Sequence, residues 1–422
     1  MPRPVTPRTP PRRRTGAALV TATLLAALGL TACGSDDSTD TASSASSASG
    51  SASPAASACP ADTAGIPQGR GGVPSGSAGT GAQSLGQAKT IKKTDNSTST
   101  VIDPEGAAIT CDTSTLTTTD DITYSSPTTK GATTDLKLDI QVPRTSGRKP
   151  LVVYVTGGGW QLADRTGNLA QRTYIADQGY AVASVQYRTV ADGATYKDAL
   201  ADVKSAIRYL RAHAGTYGID TDHVFVWGQS AGGYLAAMTG VTNGDKTYDI
   251  GGDLDRSSEV QGVVDEFGPA DLSKLAADYD RAAQDSNYAA GNASAQWVYG
   301  PGTGKSVKQY TAQVAAADPA THISSATPPF LLMHGSADPL VSPSQTLNLF
   351  TALKGKGVDA ERVVLTGAGH GDVSFGAAIS GAAPGASASA SGGSSAAADA
   401  KPWSTKETMG YIKDFLASHS RS

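Results

Sequence analysis

Short runs of β-branched and apolar residues recur along the last two thirds of the chain, separated by segments whose apolar residues fall at helical spacing. Residues 121–124, 136–142, 151–155, 181–187, 224–227, 260–267, 330–333 and 362–365 read as eight strands. Runs such as Leu151-Val-Val-Tyr-Val155 and Phe330-Leu-Leu-Met333 are apolar throughout, as strands covered on both faces must be. Residues 196–213 place Ala199, Val203, Ala206, Ile207 and Leu210 on one helical face. The later strands alternate with such helical patterns. That alternation predicts an α/β fold with a mostly parallel eight-stranded sheet and helices on both faces.

The chemistry sits where strands end. The apolar run His223-Val-Phe-Val-Trp227 breaks into Gly228-Gln-Ser-Ala-Gly-Gly233, a GxSxG with small residues around the serine. A strand-to-helix turn tight enough to expose a serine hydroxyl needs glycines nearby, and Tyr234-Leu-Ala-Ala-Met238 continues as a buried helix. Upstream, the strand ending at Val155 runs into Thr156-Gly157-Gly158-Gly159-Trp160, whose backbone N–H groups suit an oxyanion hole. Downstream, Asp338 follows the strand ending near His334, and His370 stands in the glycine-flanked loop after the last strand. Serine, acid, histidine is the chain order of the α/β-hydrolases. The serine then follows the fifth strand, the glycines the third, the acid the seventh and the histidine the eighth. All four lie at the C-terminal sheet edge, where open α/β folds bind ligands.

On these residues the chain resembles the α/β-hydrolase superfamily, and within it exported carboxylesterases and lipases with an HGGGW-type oxyanion motif. The resemblance covers roughly residues 118–419. It rests on the elbow at 228–233, the glycine cluster, His334-Gly-Ser-Ala-Asp338 and Gly367-Ala-Gly-His370, with secondary matches at Tyr187-Arg188, Tyr217-Gly-Ile-Asp220 and Phe267-Gly-Pro-Ala-Asp-Leu272. It implies Ser230 as nucleophile, His370 as base, Asp338 as the acid that orients it, and an oxyanion hole from the N–H groups of Gly158, Gly159 and Ala231. Thr156 stands where the family usually has a histidine. If that histidine braces the loop, the threonine hydroxyl substitutes for it in part.

Other candidates have simpler readings. His334 ends a buried strand and reads as a packing or loop-bracing group; His213, His223, His322 and His419 read as structural or solvated. Asp265 and Glu266 close the sixth strand and are the alternative acid, while Asp372 is too close in sequence to His370 to reach its far ring nitrogen. Trp160 either walls the substrate pocket or packs under its loop.

The amino-terminal third is of different composition. Arg12-Arg-Arg14 precedes an apolar run from Ala17 to Leu30, too short to span a membrane in the ordinary way, which reads as a secretory signal over residues 1–32. Leu30-Thr-Ala-Cys33 resembles a bacterial lipoprotein box, which implies lipidation of Cys33, a membrane contact through that anchor, and an exported protein on the outer face of the cell membrane or secreted. Residues 33–115 read as a disordered spacer rich in Ser, Ala, Thr and Gly, with the catalytic domain over 116–422. Cys59 and Cys111 then remain, either paired as a disulfide or as two free thiols. Removing residues 1–32, with their five arginines and no acid, takes the formal charge from −4 to −9, which argues against a nucleic-acid partner.

Two insertions interrupt the hydrolase pattern. Residues 273–327 carry Tyr279, Tyr288, Trp297 and Tyr299 and form either a small cap over the site or a surface excursion with its own aromatics packed beneath. Residues 377–400 are Gly/Ala/Ser-rich and read as disordered. The expected function is a serine carboxylic-ester hydrolase acting through an acyl-enzyme on short-chain or carbohydrate-linked acyl esters, with no metal or organic cofactor. A prolyl-oligopeptidase-type serine peptidase and a noncatalytic surface-binding module are the alternatives; the first usually has Tyr where Ala231 stands, and the second should lack a triad member.

Overall fold

A computed structural model of the chain describes residues 57–61, 86–372 and 401–420. Its central element is a nine-stranded sheet. In chain order the strands are β1 (Thr100–Ile102), β2 (Leu116–Ser125), β3 (Leu136–Pro143), β4 (Lys149–Val155), β5 (Ala181–Val185), β6 (Ile219–Gln229), β7 (Gly262–Glu266), β8 (Phe330–Gly335) and β9 (Ala360–Leu365). Across the sheet they run β1-β9-β8-β7-β6-β4-β5-β3-β2. Only β3 runs against its two neighbours, β5 and β2; the other pairings are parallel.

The apolar runs are buried on both faces because alternate side chains enter two separate core layers. Leu151, Val153 and Val155 of β4, Val224 and Val226 of β6, and Leu332 of β8 point into one layer. Val152, Tyr154, Phe225, Trp227, Leu331 and Met333 point into the other. Helices α2 (Tyr196–Ala212), α3 (Ala231–Val241) and α4 (Ser344–Gly355) cover the first face, and α1 (Leu169–Asp177) and α5 (Lys406–His419) the second. Helix α2 begins where the Asp198 carboxylate accepts from Thr195 N and Oγ1, at 2.8 and 2.9 Å. Its Leu200, Val203, Ile207 and Leu210 are fully buried, each contributing about 1.5–3 kcal/mol relative to exposure.

Two expectations need correction. The sheet has nine strands rather than eight, and the extra one lies inside the stretch read as a spacer over 33–115. Thr100–Ile102 pairs with β9, and Thr366 N donates to Ile102 O at 2.8 Å. Three residues among polar neighbours are too few to show a period, so this strand is recognisable only by the edge it completes. Ile109 and Cys111 are also buried, and Ser57–Ala58 pairs antiparallel with Thr110–Cys111, where a Cys59–Cys111 disulfide closes the pairing. The folded unit therefore includes residues upstream of 116. Residues 1–32, Cys33 and the 377–400 insertion lie outside the described residues.

Within 273–327, Tyr279, Tyr288 and Trp297 are buried in the main core, with Tyr299 packed against it. The Trp160 ring stacks on Trp297 at 6.0 Å. Trp160 is thus a packing residue that ties the glycine loop to this insertion, rather than a pocket wall.

Candidate active site

Strand β6 delivers Ser230. The glycines beside it are required by space: a Cβ on Gly228 would collide with the Gly232 carbonyl, and one on Gly232 with the Val155 carbonyl of β4. Ser230 itself has φ 55° and ψ −120°, a conformation a non-glycine residue holds only where its surroundings impose it, at a cost of about 1–3 kcal/mol. The imposition is visible: Ser230 N donates to Glu266 O at 2.9 Å, and Ser230 O accepts the first helical bond of α3 from Tyr234 N at 3.0 Å.

His370 Nε2 lies 2.8 Å from Ser230 Oγ, and its Nδ1 lies 2.6 Å from Asp338 Oδ2. An ionised Asp338 accepts at Nδ1, so the neutral ring carries its proton there and leaves Nε2 free to accept from the serine hydroxyl. The other Asp338 oxygen, Oδ1, accepts from Leu340 N at 2.8 Å and Val341 N at 3.0 Å. Asp338 is fully buried, which by itself opposes ionisation; the charge and hydrogen bonds of His370 and His334 outweigh that and hold its carboxyl well below the usual carboxylate range. The three side chains named from the sequence therefore meet, in the order needed to move one proton from serine to imidazole.

His334 braces the acid loop. It is buried, its Nδ1 lies 2.9 Å from Thr346 Oγ1, and its Nε2 lies 3.0 Å from Val341 O and 3.3 Å from Asp338 Oδ2. Asp372 accepts from Trp403 N and Ser404 Oγ, at 3.0 and 2.5 Å, and so anchors the start of the last helical region. Glu266 accepts from Trp227 Nε1 at 2.6 Å and Gln229 Nε2 at 2.8 Å, facing away from the role of triad acid. Asp265 accepts from Gly268 N at 2.9 Å. Burial pushes both carboxyls up to about 7.

The glycine loop meets the elbow from the β4 side. A Cβ on Gly157 would lie 3.3 Å from Ser230 Cβ, so the loop backbone passes directly beside the nucleophile. Gly158 and Gly159 have φ of 146° and 58°, and Trp160 follows at 64°. Ala231 is the first residue of α3, where an N–H has no intrahelical acceptor. Thr156 is buried; its Oγ1 donates to Gly157 O at 3.3 Å while its carbonyl accepts from Tyr187 OH at 2.9 Å, so it pins the loop from within. What the sequence reading did not find is the polar packing under the elbow, a connected set from Glu266 through Gln229 and Gln171 to Trp403. Its one visible signal was an Asp-Glu pair closing an otherwise apolar strand.

Comparison with known proteins agrees with this architecture. The chain is 28% identical over 214 residues to a probable carboxylic ester hydrolase, LipM, of Mycobacterium tuberculosis, a match covering 50% of this chain and 46% of that protein. It is 26% identical over 240 residues to a probable isoprenylcysteine alpha-carbonyl methylesterase, ICMEL1, of Arabidopsis thaliana, covering 56% of this chain and 48% of the relative. The chain thus spans about half the length of these curated relatives. Among solved structures, a truncated carbohydrate esterase from gut microbiota superposes with a TM-score of 0.56 at 23% identity, over 72% of this chain and 97% of that one, a likeness of fold. A bifunctional GH43-CE protein of Bacteroides eggerthii gives 0.54 at 26% identity, over 72% of this chain and 38% of its own. The BD-FAE family profile matches residues 138–353, from β3 to α4, which is half of the sequence and holds both the elbow and Asp338; the chain belongs to the BD-FAE family, on an α/β-hydrolase fold.

Proposed function

We propose that the protein is a serine carboxylic-ester hydrolase. The observation that carries this reading is the line from Ser230 Oγ through both nitrogens of His370 to the buried Asp338, at 2.8 and 2.6 Å, on a strained elbow. A serine hydroxyl at its ordinary pKa is a weak nucleophile. His370 Nε2 takes its proton as Oγ bonds to the ester carbonyl carbon, and Asp338 stabilises the imidazolium so formed. The carbonyl oxygen, now anionic, is met by the N–H groups of Ala231, Gly158 and Gly159. Collapse breaks the ester C–O bond, His370 returns the proton to the leaving alcohol, and the acyl group remains on Ser230. Water, deprotonated by the same imidazole, then adds to the acyl carbon, the bond to Ser230 Oγ breaks, and His370 returns the proton to Oγ as the carboxylic acid leaves.

The substrates in this reading are short-chain or carbohydrate-linked acyl esters. Support comes from family membership and from relatives described as carboxylic ester hydrolases and methylesterases. The noncatalytic alternative is opposed by the intact triad. The basic and then apolar run over residues 1–32 supports export, and the likeness of Leu30-Thr-Ala-Cys33 to a lipoprotein box supports lipid attachment at Cys33, with the protein on the outer face of the cell membrane or secreted. A panel of p-nitrophenyl esters of increasing acyl length, run beside acetylated and feruloylated glycans, tests the substrate class. Acetyl to butyryl esters or the glycan esters should give the highest kcat/KM. A preference for long acyl chains, or no hydrolysis of any ester, refutes it.

A further inference from the structure

Beneath the nucleophile lies a buried polar assembly that the triad does not use. Gln229, the residue before Ser230, is buried and spends both amide protons: Nε2 donates to Glu266 Oε2 at 2.8 Å and to Gln171 Oε1 at 2.9 Å. Its Oε1 accepts from the Tyr154 hydroxyl at 3.1 Å. Turning the amide over would set its oxygen against a carboxylate oxygen and an amide oxygen, so these partners fix its orientation. Gln171, on α1, donates in turn to Trp403 O at 3.1 Å, and the Trp403 indole N–H donates to Gly369 O at 3.2 Å. Gly369 precedes His370. One hydrogen-bonded path therefore joins the residue before the nucleophile to the residue before the base.

Packing follows the same path. The Phe267 ring lies 4.6 Å from the Trp403 ring and 4.6 Å from the His370 ring, so Trp403 is linked to the imidazole through Phe267 as well as through its bond to Gly369 O. Glu266 stands at the elbow end. Besides its bonds to Gln229 and to Trp227 Nε1, its backbone carbonyl holds Ser230 N–H. Its Oε1 is buried without a partner among the described residues. A buried carboxyl oxygen without a partner is costly, and an apolar side chain of similar volume would avoid that cost. What the apolar side chain would lose is the grip on Gln229.

We propose that Glu266 is a positioning residue of this site: acting through Gln229, and onward through Gln171 and Trp403, it sets the separation of the Ser230 hydroxyl and the His370 ring. The proposal rests on the serine-hydrolase reading. A misplacement of order 1 Å at a reacting pair lowers the chemical rate by about a hundredfold without weakening substrate binding, which distinguishes positioning from general stability.

The test uses the full chain, p-nitrophenyl acetate, and a fluorophosphonate titration that counts competent sites. Glu266→Ala should lower kcat per titrated site by about tenfold to a hundredfold while KM stays within about threefold. Glu266→Gln keeps an oxygen for both donors and puts its NH₂ where Oε1 is bare, so its kcat should stay within about threefold of the parent. Gln171→Leu breaks the path at its middle and reads the same effect if the alanine variant does not fold; it should lower kcat at unchanged KM. The proposal is overturned if Glu266→Ala, or Gln171→Leu in its place, keeps the parent kcat, or if Glu266→Gln falls as far as Glu266→Ala. Full activity in Ser230→Ala would instead sink the hydrolase reading, leaving the two failures distinguishable.

Discussion

Replacing Gly158 by alanine should disable the site while leaving the fold standing. Gly158 has φ 146°, a region L-residues rarely enter, at a cost of about 1–3 kcal/mol. Space is worse than torsion. The new Cβ would lie 2.8 Å from the Leu162 carbonyl carbon and closer still to its oxygen. That carbonyl has little room to give, because Gln161 N and Leu162 N both donate back to Gly158 O, at 3.0 and 3.1 Å, closing the turn. Relief must come from moving the loop backbone, and with it the N–H groups assigned to the oxyanion. Displacing one such donor costs about 2.7–4 kcal/mol in the transition state, or roughly 10²–10³ in kcat. Gly159 is the internal control. Its φ of 58° is the left-handed region that asparagine tolerates, so Gly159→Asn should stay within about tenfold. Steady-state kinetics on p-nitrophenyl acetate and thermal unfolding read both variants. A Gly158→Ala protein with kcat within threefold of the parent would refute the loop's assignment.

Three further outcomes follow from the geometry. Asp338→Asn should lower kcat by about 10⁴ with the melting temperature little changed, because the asparagine oxygen keeps the Leu340 and Val341 N–H groups while its NH₂ faces His370 Nδ1 and forces the wrong tautomer; retained activity would contradict the triad. Burial first, with Asp372 and Asp265 adding to it against the bonds from Gln229 and Trp227, holds the Glu266 carboxyl at about 7 in the fold, so the folded state binds a proton that the unfolded chain releases near 4.5. Stability from this group is complete below about pH 4.5 and lost as pH rises to about 7, by roughly 3 kcal/mol. Glu266→Gln should therefore gain in melting temperature relative to the parent between pH 5 and 8, and a pH-independent difference would refute the assignment. Cys111→Ser should lower stability by up to about 4 kcal/mol, given a 52-residue separation from Cys59, and calorimetry with and without reductant should show the parent losing what the variant has already lost.

Much of the site was legible because its chemistry is tied to strand ends, and fully apolar strands are the clearest signal in a chain of this kind. Ser230, Asp338 and His370 were found from three separate breaks in such runs, and their contact is a consequence of the β9-β8-β7-β6 order, which brings those ends to one edge. The helix over Tyr196–Ala212 was equally plain, since Ala199, Val203, Ala206, Ile207 and Leu210 recur at helical spacing. Elements without a period were hidden. Thr100–Ile102 is three residues long, and its pairing is fixed by an edge supplied some 260 residues later. Trp160 could not be assigned between pocket and core because its partner, Trp297, lies in a distant insertion. The Gln229, Gln171 and Trp403 assembly is similarly long-range: each polar residue reads as ordinary surface or loop until the fold buries it.

The central claim, that Ser230 is an acyl-accepting nucleophile activated by His370, is tested most directly by mass spectrometry of the intact protein after exposure to a fluorophosphonate, for the parent and for Ser230→Ala. The parent should gain one adduct, located on Ser230 by peptide mapping, and lose ester hydrolysis in proportion. The variant should gain none and hydrolyse p-nitrophenyl acetate no faster than the residual level left by the remaining site. An adduct on the variant, or a parent that hydrolyses esters while Ser230 stays unmodified, would contradict the account.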